Sequence, residues 1–343
     1  MRGFVDYRDA AVPDILAAME WNGGQRQRRI VVTGAAGMVG SHVADVLLAR
    51  GDTVVGVDNF LTGSPGNVEH LMAHPGFTLV DADVSMDLGL DGEIDAIMHL
   101  ASPASPRHFE SIPLEILRVG GVGILAMLDL AVRHDARFLF ASSSEVYGDP
   151  HVHPQHEGYT GNVHLGGVRA CYDESKRFGE AATNTYHRAE GLDTRIVRIF
   201  NTYGPRMRPD DGRVTSNFVQ QALSGEPLTV YGDGLQTRSY CYVEDLARGI
   251  VALLDSDVTE PVNIGNPTEH TVHYLAQRVI ELVGSSSVIE HLPLPEHDPT
   301  RRRPDITRAT ELLGWTPTVS LDDGLRHTIE HFASLRRDGG EAT

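Results

Sequence analysis

The sequence predicts an α/β fold, in which a doubly wound parallel sheet is joined to a smaller mixed α/β lobe. Two observations predict it. From residue 29, short β-branched runs alternate with longer helical patterns, which is typical of a parallel sheet covered by helices. After residue 200 the alternation loosens and glycine and proline turn signals become frequent, as expected of a mixed lobe.

The strands of the predicted sheet fall in the first 200 residues. Between the first two, Val43, Val46 and Leu47 recur at helical spacing, and Gly51 stands where a helix C-terminal glycine is expected. This segment is therefore a β-α-β unit. The six predicted strands cover residues 30–33, 53–58, 77–81, 96–100, 138–142 and 194–200.

Later elements predict that the two parts of the chain are interleaved. Long helices are expected over residues 113–133 and 172–190, and a helix at 246–254 followed by a buried strand at 262–265 resembles a return to the sheet. The predicted division is an extension at 1–28, a sheet domain at 29–200 with 239–268 returning to it, a substrate-binding lobe at 201–238 and 269–335, and a tail at 336–343.

Composition excludes several classes of function. The 343 residues carry a formal net charge of -18, which argues against a nucleic acid or an anionic membrane as partner because both require a basic face. No apolar run is long enough to cross a bilayer, and residues 1–28 lack the pattern of a secretory signal. Only Cys171 and Cys241 occur, so we expect no disulfide framework or zinc cluster, and a reducing cytoplasm as location.

A glycine-rich loop follows the first predicted strand and opens a helix. Gly34, Gly37 and Gly40 have the spacing GxxGxxG, which lets the backbone turn tightly and approach a pyrophosphate at the helix N-terminus. Asp58 ends the second strand, where a carboxylate can bind the adenosine ribose and repel a 2′-phosphate. The pattern predicts a Rossmann-type domain that binds NAD rather than NADP.

A second group of polar residues follows the strand at 138–142. Ser143 stands at the strand end, and Tyr172 and Lys176 lie one helical turn apart, so both can face the same site. We expect the lysine ammonium to lower the pKa of Tyr172 from its usual value of about 10 and to make the phenolate a usable base.

These motifs resemble the extended short-chain dehydrogenase/reductase family, and within it the UDP-glucuronate decarboxylases. The resemblance covers residues 29–333. It is carried by the glycine loop, by the Tyr-x-x-x-Lys pair and by the segments at 100–106, 144–150, 169–174, 201–207, 225–232 and 303–306.

The resemblance implies catalytic roles for six residues. Tyr172 is the base, Lys176 is its partner and Ser143 binds the reacting sugar oxygen. Ser144 and Glu145 flank the sugar C5; related dehydratases carry an aspartate where Ser144 stands, so a serine there favours a decarboxylase. Arg302 matches an arginine that related uronate decarboxylases place near the substrate carboxylate.

The resemblance also implies the residues that bind cofactor and substrate. Besides Tyr172 and Lys176, the NAD-binding residues are Gly34, Gly37, Met38, Val39, Gly40, Asp58, Asn59, Asp83, Val84, Leu100 and Ala101. Besides Arg302, the residues that bind the UDP-sugar are Ser102, Pro103, Asn201, Arg206, Asn217, Tyr231, Gln236 and Arg238.

The chain departs from the decarboxylase pattern at four places. The family usually has asparagine at Gly120, tyrosine at Phe109 and glycine at Ser175, and basic residues in the loop at 64–66. We therefore expect the loss of a cofactor-phosphate contact and of a hydroxyl bond to the substrate.

The expected function is NAD-dependent decarboxylation of UDP-glucuronate to UDP-xylose through a 4-keto intermediate, by a homodimer. A 4-epimerase or 4,6-dehydratase of nucleotide sugars is the alternative within the enzyme class, and a noncatalytic NAD-binding scaffold is the alternative outside it. His151, His153 and His156 form a cluster that lacks matching acidic or cysteine ligands, so no metal is expected.

Overall fold

The computed structural model describes residues 27–293 and 301–339. Three predicted segments therefore lie wholly or partly outside the described residues: the N-terminal extension up to residue 26, residues 294–300 of a turn-rich stretch, and the tail at 340–343. The strands, numbered along the chain, are Arg29–Thr33 (β1), Thr53–Asp58 (β2), Phe77–Asp81 (β3), Ala96–His99 (β4), Arg137–Ser143 (β5), Thr194–Ile199 (β6), Thr202–Tyr203 (β7), Leu228–Tyr231 (β8), Thr237–Ser239 (β9), Cys241–Tyr242 (β10), Val262–Ile264 (β11), Glu269–Thr271 (β12), Ile289–Leu292 (β13) and Arg301–Arg302 (β14).

The helices cover the large sheet and build much of the lobe. They are Met38–Ala49 (α1), His108–Ser111 (α2), Pro113–Arg118 (α3), Ile124–His134 (α4), Ala170–Glu190 (α5), Val214–Ser224 (α6), Val243–Asp255 (α7), Val272–Val283 (α8), Thr307–Leu313 (α9) and Leu321–Gly339 (α10). Short 3₁₀ turns lie at Pro65–Asn67, Glu69–Leu71 and Ser144–Tyr147.

Seven parallel strands form the main sheet in the order β11-β6-β5-β4-β1-β2-β3. The predicted doubly wound parallel sheet is confirmed. Ile30 and Val32 of β1 pack into one apolar core and Val31 packs into the other, on the opposite face. Burial on both faces explains why the strand is a continuous apolar run rather than an alternating one.

The order of strands in the sheet brings the carboxyl ends of β1, β4 and β5 side by side. Helices α1 and α7 pack on one face of the sheet, and α4 and α5 pack on the other. The strand order reverses between β4 and β1, so a crevice opens at the carboxyl ends of these two strands, where ligands of such sheets bind.

The helix predicted over residues 113–133 is present as one helical run from Pro113 to His134. A π-helical turn at Val119–Gly123 joins α3 to α4, and this local widening was not predicted. The turn contains three glycines, Gly120, Gly121 and Gly123, which lack the side chain that would hold a regular helical turn in place.

The later part of the chain divides between the sheet and the lobe. Strand β11 pairs with β6, so residues near 262 do return to the large sheet. The lobe has its own apolar core and three small sheets: β10-β7, β12-β9-β14 and β13-β8. Ala309 and Trp315, which fall in the predicted lobe segment, instead pack in the core of the large sheet, where the Trp315 indole donates to Asp245 O at 3.0 Å.

Candidate active site

The glycine loop lies between β1 and α1 at the crevice. Gly34 has φ of +71° and donates to Val57 O at 2.8 Å, and a Cβ at this position would lie 2.8 Å from Ala101 Cα. A Cβ at Gly40 would overlap the carbonyl of Gly34. Helix α1 begins after Gly37 with no side-chain cap, so the N–H groups of its first turn face the cleft. The loop fits a pyrophosphate.

Asp58 stands at the end of β2 at the same cleft. Its carboxylate oxygens accept hydrogen bonds from Ala36 N and Phe60 N, both at 2.9 Å, and burial raises its pKa. A Cβ at Gly63 would lie 2.8 Å from Asp58 Oδ1, so a glycine keeps the carboxylate accessible. Each oxygen retains acceptor capacity, which fits the hydroxyls of a ribose.

The remaining predicted cofactor residues line the same cleft. Asn59 Nδ2 lies 3.5 Å from Asp83 Oδ2, and the Asp83 carboxylate accepts from Ser85 N at 2.8 Å. The others along this wall are Met38, Val39, Val84, Leu100 and Ala101.

Tyr172 is buried in the cleft on helix α5, and the side chain of Ser143 at the end of β5 is close enough to lower the pKa of its hydroxyl. The ring of Phe109 stacks on the Tyr172 ring with a centroid distance of 5.2 Å. Phe109 therefore fills the space beside the phenol with an apolar ring. The loss of a hydroxyl bond to the substrate at this position stays a prediction.

The expected lowering of the pKa of Tyr172 is wrong for the protein by itself. Burial raises the pKa of Tyr172 to about 12, and the nearby Ser143 side chain offsets only part of this. Lys176 Nζ donates to Ala141 O at 2.8 Å and lies 5.5 Å from the Tyr172 ring centroid, and burial lowers the pKa of the lysine to about 7. Removal of both groups from water penalises their charged forms more than the pair attraction stabilises them.

Glu145 lies between two arginines in the same cleft as Tyr172. Arg302 makes a two-pronged ion pair with it, with Nη2 to Oε2 at 3.0 Å, and Arg169 Nη2 lies 2.5 Å from Oε2. Burial disfavours the carboxylate, but the two guanidiniums outweigh it and lower the pKa of Glu145 to about 2. These three side chains together carry a net positive charge, so the cluster can accept a second carboxylate.

The predicted substrate residues separate into two groups. Ser102, Pro103, Asn201, Arg206, Gln236 and Arg238 line the cleft together with Ser144 and the residues above. Arg238 on β9 is in register with Arg302 on β14, so two cationic side chains arise from adjacent positions of one small sheet. The Arg206 guanidinium donates to Asp45 at 2.6 Å, which ties it to helix α1.

Asn217 and Tyr231 are not brought into the cleft. Asn217 Nδ2 donates back to Gly212 O at 3.2 Å, and the Tyr231 side chain is 43% exposed at the end of β8. Both stand outside the set of residues that line the cleft. Their roles as UDP contacts stay predictions.

Residues without a sequence-based role also reach the cleft. Arg169 contacts Glu145 and lies 5.4 Å from the Phe109 ring centroid, and Arg213 Nη2 donates to Ala104 O at 2.7 Å. Asp173 is buried beside this group, where burial first and the neighbouring Glu145 second raise its pKa to about 7. Arg169 is the first residue of the segment at 169–174 that also contains Tyr172, and this position in the sequence could have identified it as a site residue.

The histidines of the predicted cluster have other partners. His153 Nε2 lies 3.2 Å from Glu269 Oε2, and His151 Nε2 lies 3.2 Å from Asn162 Nδ2. Over residues 27–293 and 301–339, no three His, Cys, Asp or Glu side chains are grouped so that they could hold a metal ion. In the same part of the chain, every helix is too short or too polar to span a membrane.

Residues 30–265 match the model of the NAD dependent epimerase/dehydratase family. The chain belongs to this family. Membership confirms the resemblance seen in the sequence and the expectation of NAD as cofactor. The roles of the glycine loop and Asp58 in binding it stay predictions. Both the open sheet and the Ser143, Tyr172 and Lys176 group are thus parts of a dinucleotide-dependent enzyme.

Relatives and solved structures narrow the comparison within this family. UDP-glucuronic acid decarboxylase 1 of Danio rerio is 52% identical over 307 residues, which are 90% of this chain and 73% of the relative. UDP-glucuronic acid decarboxylase 2 of Arabidopsis thaliana is 54% identical, over 89% of this chain and 68% of the relative. The structure of UDP-glucuronic acid 4-epimerase from Bacillus cereus with UDP-glucuronic acid and NAD is 29% identical with a TM-score of 0.81, over 90% of this chain and 99% of that chain.

Proposed function

We propose that this protein converts UDP-glucuronate to UDP-xylose and CO₂ through a UDP-4-keto intermediate. The observation that carries the proposal is the position of the Arg302, Arg169 and Glu145 cluster in the same cleft as Tyr172. A base for the sugar hydroxyl and a cationic site for a carboxylate are the two groups that the reaction requires. The 52% identity with a named UDP-glucuronic acid decarboxylase supports it.

The residues that would hold NAD are those of the glycine loop at 34–40, Asp58 on the ribose, and the wall from Asp83 to Ala101. When bound, NAD⁺ would supply a positive charge, an acceptor for the C4 hydride and the donor that later returns it. The chain's own residues perform the proton transfers and orient the sugar.

Tyr172 removes the proton of the sugar C4 hydroxyl, and Ser143 shares the hydrogen bond that positions this oxygen. Loss of the C4 hydride then leaves a ketone at C4. This ketone is β to the C5 carboxylate, so the C5–carboxylate bond can break, with its electron pair moving into an enolate and CO₂ leaving. The arginine cluster orients the carboxylate before this step.

A proton taken up from solvent and added at C5 converts the enolate back to the ketone. Return of the hydride to C4, with the proton from Tyr172, yields the pentose. One proton is consumed and one CO₂ is released per turnover, with no net oxidation. We assign Ser144 and Glu145 to the two sides of the sugar C5. The low pKa of Glu145 keeps its carboxylate ionised, so that it remains a partner of the arginines.

The test is to incubate the purified protein with UDP-glucuronate and NAD⁺ and to follow CO₂ release and the nucleotide-sugar product together. Equal amounts of CO₂ and UDP-xylose are expected. Conversion to the C4 epimer without CO₂ would identify a 4-epimerase, which is the activity named for several structural neighbours. Binding of NAD with no turnover of any nucleotide sugar would support the scaffold alternative.

We infer that the active form is a homodimer. Leu114, Leu117, Leu125 and Val132 are exposed by 38% to 67% along α3 and α4, on one side of the helical path, and Phe178 of the neighbouring helix α5 is 44% exposed. Exposed apolar side chains on two adjacent helices fit a second copy of the same surface, related by a two-fold axis.

Substitution of Leu117 and Leu125 by glutamate should convert the dimer to a monomer in sedimentation or light-scattering measurements. Leu312 is 55% exposed on helix α9, so Leu312→Glu is the matched control and should leave the mass unchanged. A wild-type monomer at micromolar concentration would contradict the inference.

For location, the free thiols of Cys171 and Cys241 support our proposal of a reducing, cytoplasmic compartment.

A further inference from the structure

Gln155 is a fully buried polar residue outside the cleft, and it uses all its hydrogen-bonding groups. Its backbone N–H donates to Arg303 O at 2.9 Å, and its side-chain oxygen accepts from Arg303 N at 2.8 Å. Its backbone carbonyl accepts from Asp305 N at 2.8 Å, and its side-chain amide donates to Val152 O at 2.7 Å. Gln155 therefore holds the backbone directly after Arg302.

Asn263 on β11 is also fully buried and joins two parts of the site. Its Nδ2 donates to Gln155 O at 3.0 Å and to Asp305 O at 3.1 Å. Its Oδ1 accepts from the Tyr147 hydroxyl at 2.7 Å. Tyr147 belongs to the same 3₁₀ turn as Glu145, so one amide side chain connects the Glu145 turn with Asp305, three residues after Arg302, and with Gln155, which bonds Arg303.

The connection continues to the catalytic helix. Arg198 donates to the Tyr147 hydroxyl at 3.0 Å and makes a two-pronged ion pair with Glu180 on α5, at 2.8 and 2.7 Å. Glu180 accepts from Ser142, the residue before Ser143, at 2.6 Å. A buried, fully bonded polar network of this kind has a single low-energy arrangement and stiffens the elements that it joins.

We propose that Gln155 and Asn263 are positioning residues that set the distance between Glu145 and Arg302 and so determine selectivity for a carboxylated sugar. The inference rests on the proposed function. Neither side chain touches the substrate; each acts through Arg302 or through the turn that bears Glu145. The reason is geometric. The Arg302 guanidinium holds the Glu145 carboxylate by two parallel bonds, and a shift of the Arg302 backbone by about 1 Å would break one of them and displace the positive charge offered to the substrate carboxylate.

The test uses variants of similar size that remove these hydrogen bonds. Asn263→Asp removes both donations, to Gln155 O and to Asp305 O, and Gln155→Met removes the acceptor for Arg303 N together with the donation to Val152 O. The dissociation constants of UDP-glucuronate and UDP are measured for each, together with kcat and KM. Gln221→Glu is the control, because Gln221 also bridges two groups, Thr229 N at 3.1 Å and Thr229 Oγ1 at 2.9 Å, in the lobe away from Arg302.

We expect Asn263→Asp to weaken UDP-glucuronate binding by about 10- to 100-fold, as the loss of two buried hydrogen bonds implies, and to leave UDP binding within about 2-fold. Gln155→Met should weaken it by about 10-fold, because the bond to Arg303 N is lost, and Gln221→Glu should not change it. In an Arg302→Lys background, Asn263→Asp should cause no further loss, because the group that it positions is already absent.

Equal weakening of UDP and UDP-glucuronate, or losses that add to those of Arg302→Lys, would show general destabilisation and overturn the proposal. If Asn263→Asp does not fold, the same criteria apply to Gln155→Met, which removes the side-chain bond to Arg303 N. A wild-type protein that does not bind UDP-glucuronate would remove both this inference and the proposed function. A wild-type decarboxylase with unaffected variants would remove this inference alone.

Discussion

Gly120 and Ser175 occupy one shared space between the π-helical turn and helix α5, so that a Cβ added at Gly120 would overlap the Cβ and Oγ of Ser175. These are two of the positions at which the chain departs from the decarboxylase pattern, which has asparagine and glycine there. In this chain the larger side chain stands at position 175 on α5 instead of at position 120 in the π-helical turn. Ser175 precedes Lys176, so the exchange lies directly beside the catalytic pair.

The first prediction concerns this exchange. Gly120→Asn alone should be destabilising by about 1–3 kcal/mol through overpacking and should lower kcat, because the displaced helix carries Lys176. Ser175→Gly alone should have a smaller effect. The double variant should recover most of the stability and activity. Thermal unfolding and kcat of the four proteins test it, and additive losses in the double variant would contradict a shared space.

Tyr172→Phe tests the base. The variant should bind NAD and UDP-glucuronate with nearly unchanged affinity, because the ring still stacks on Phe109. Its kcat should fall by about 10²- to 10⁴-fold, since proton transfer from the C4 hydroxyl is lost. Single-turnover absorbance of the reduced cofactor follows the hydride step. Turnover at the wild-type rate would exclude Tyr172 from the mechanism.

Arg302→Gln tests the carboxylate site. It should weaken UDP-glucuronate binding by about 10- to 100-fold, while UDP, which has no carboxylate, should bind as before. Glu145 keeps Arg169 as a partner in this variant, so the fold should persist. Calorimetric titration with both ligands makes the comparison. An equal loss for the two ligands would assign Arg302 to the nucleotide instead.

Lys176 predicts a pH dependence of stability in the absence of cofactor. Burial lowers its pKa to about 7 from 10.5, so between these values the unfolded chain binds more protons than the folded one. This contribution makes the folded state more stable as the pH rises across that window. The difference in unfolding free energy between wild type and Lys176→Met should therefore shift in favour of wild type from pH 7 to 10. A difference in unfolding free energy that does not change with pH would contradict a lowered pKa of Lys176 in the folded protein.

Asp58→Ala tests the assignment of the ribose site. Loss of the carboxylate should weaken NAD binding by about 10- to 100-fold, because charged acceptors make the stronger hydrogen bonds. Discrimination against NADP should decrease at the same time, because the group that repels a 2′-phosphate is gone. Fluorescence titration of cofactor-free protein with both dinucleotides measures this, and unchanged selectivity would locate the discrimination elsewhere.

Local patterns in the sequence determined the parts of this protein that depend on a few neighbouring residues. The torsion angles of Gly34, the helix that opens after Gly37 and the placement of Tyr172 and Lys176 on one helix face all follow from spacing along the chain. The parallel sheet was predictable for the same reason, because each β-α-β unit is encoded within a short segment.

Tertiary structure decided what depends on residues distant in the chain or on exclusion of water. The pairing of Glu145 with Arg302 joins positions 157 residues apart, and the contact of Gly120 with Ser175 depends on how two helices pack. The raised pKa of Tyr172 and the lowered pKa of Lys176 arise from burial. Spacing along the chain carries no measure of desolvation or of long-range contact, because both are properties of the packed molecule.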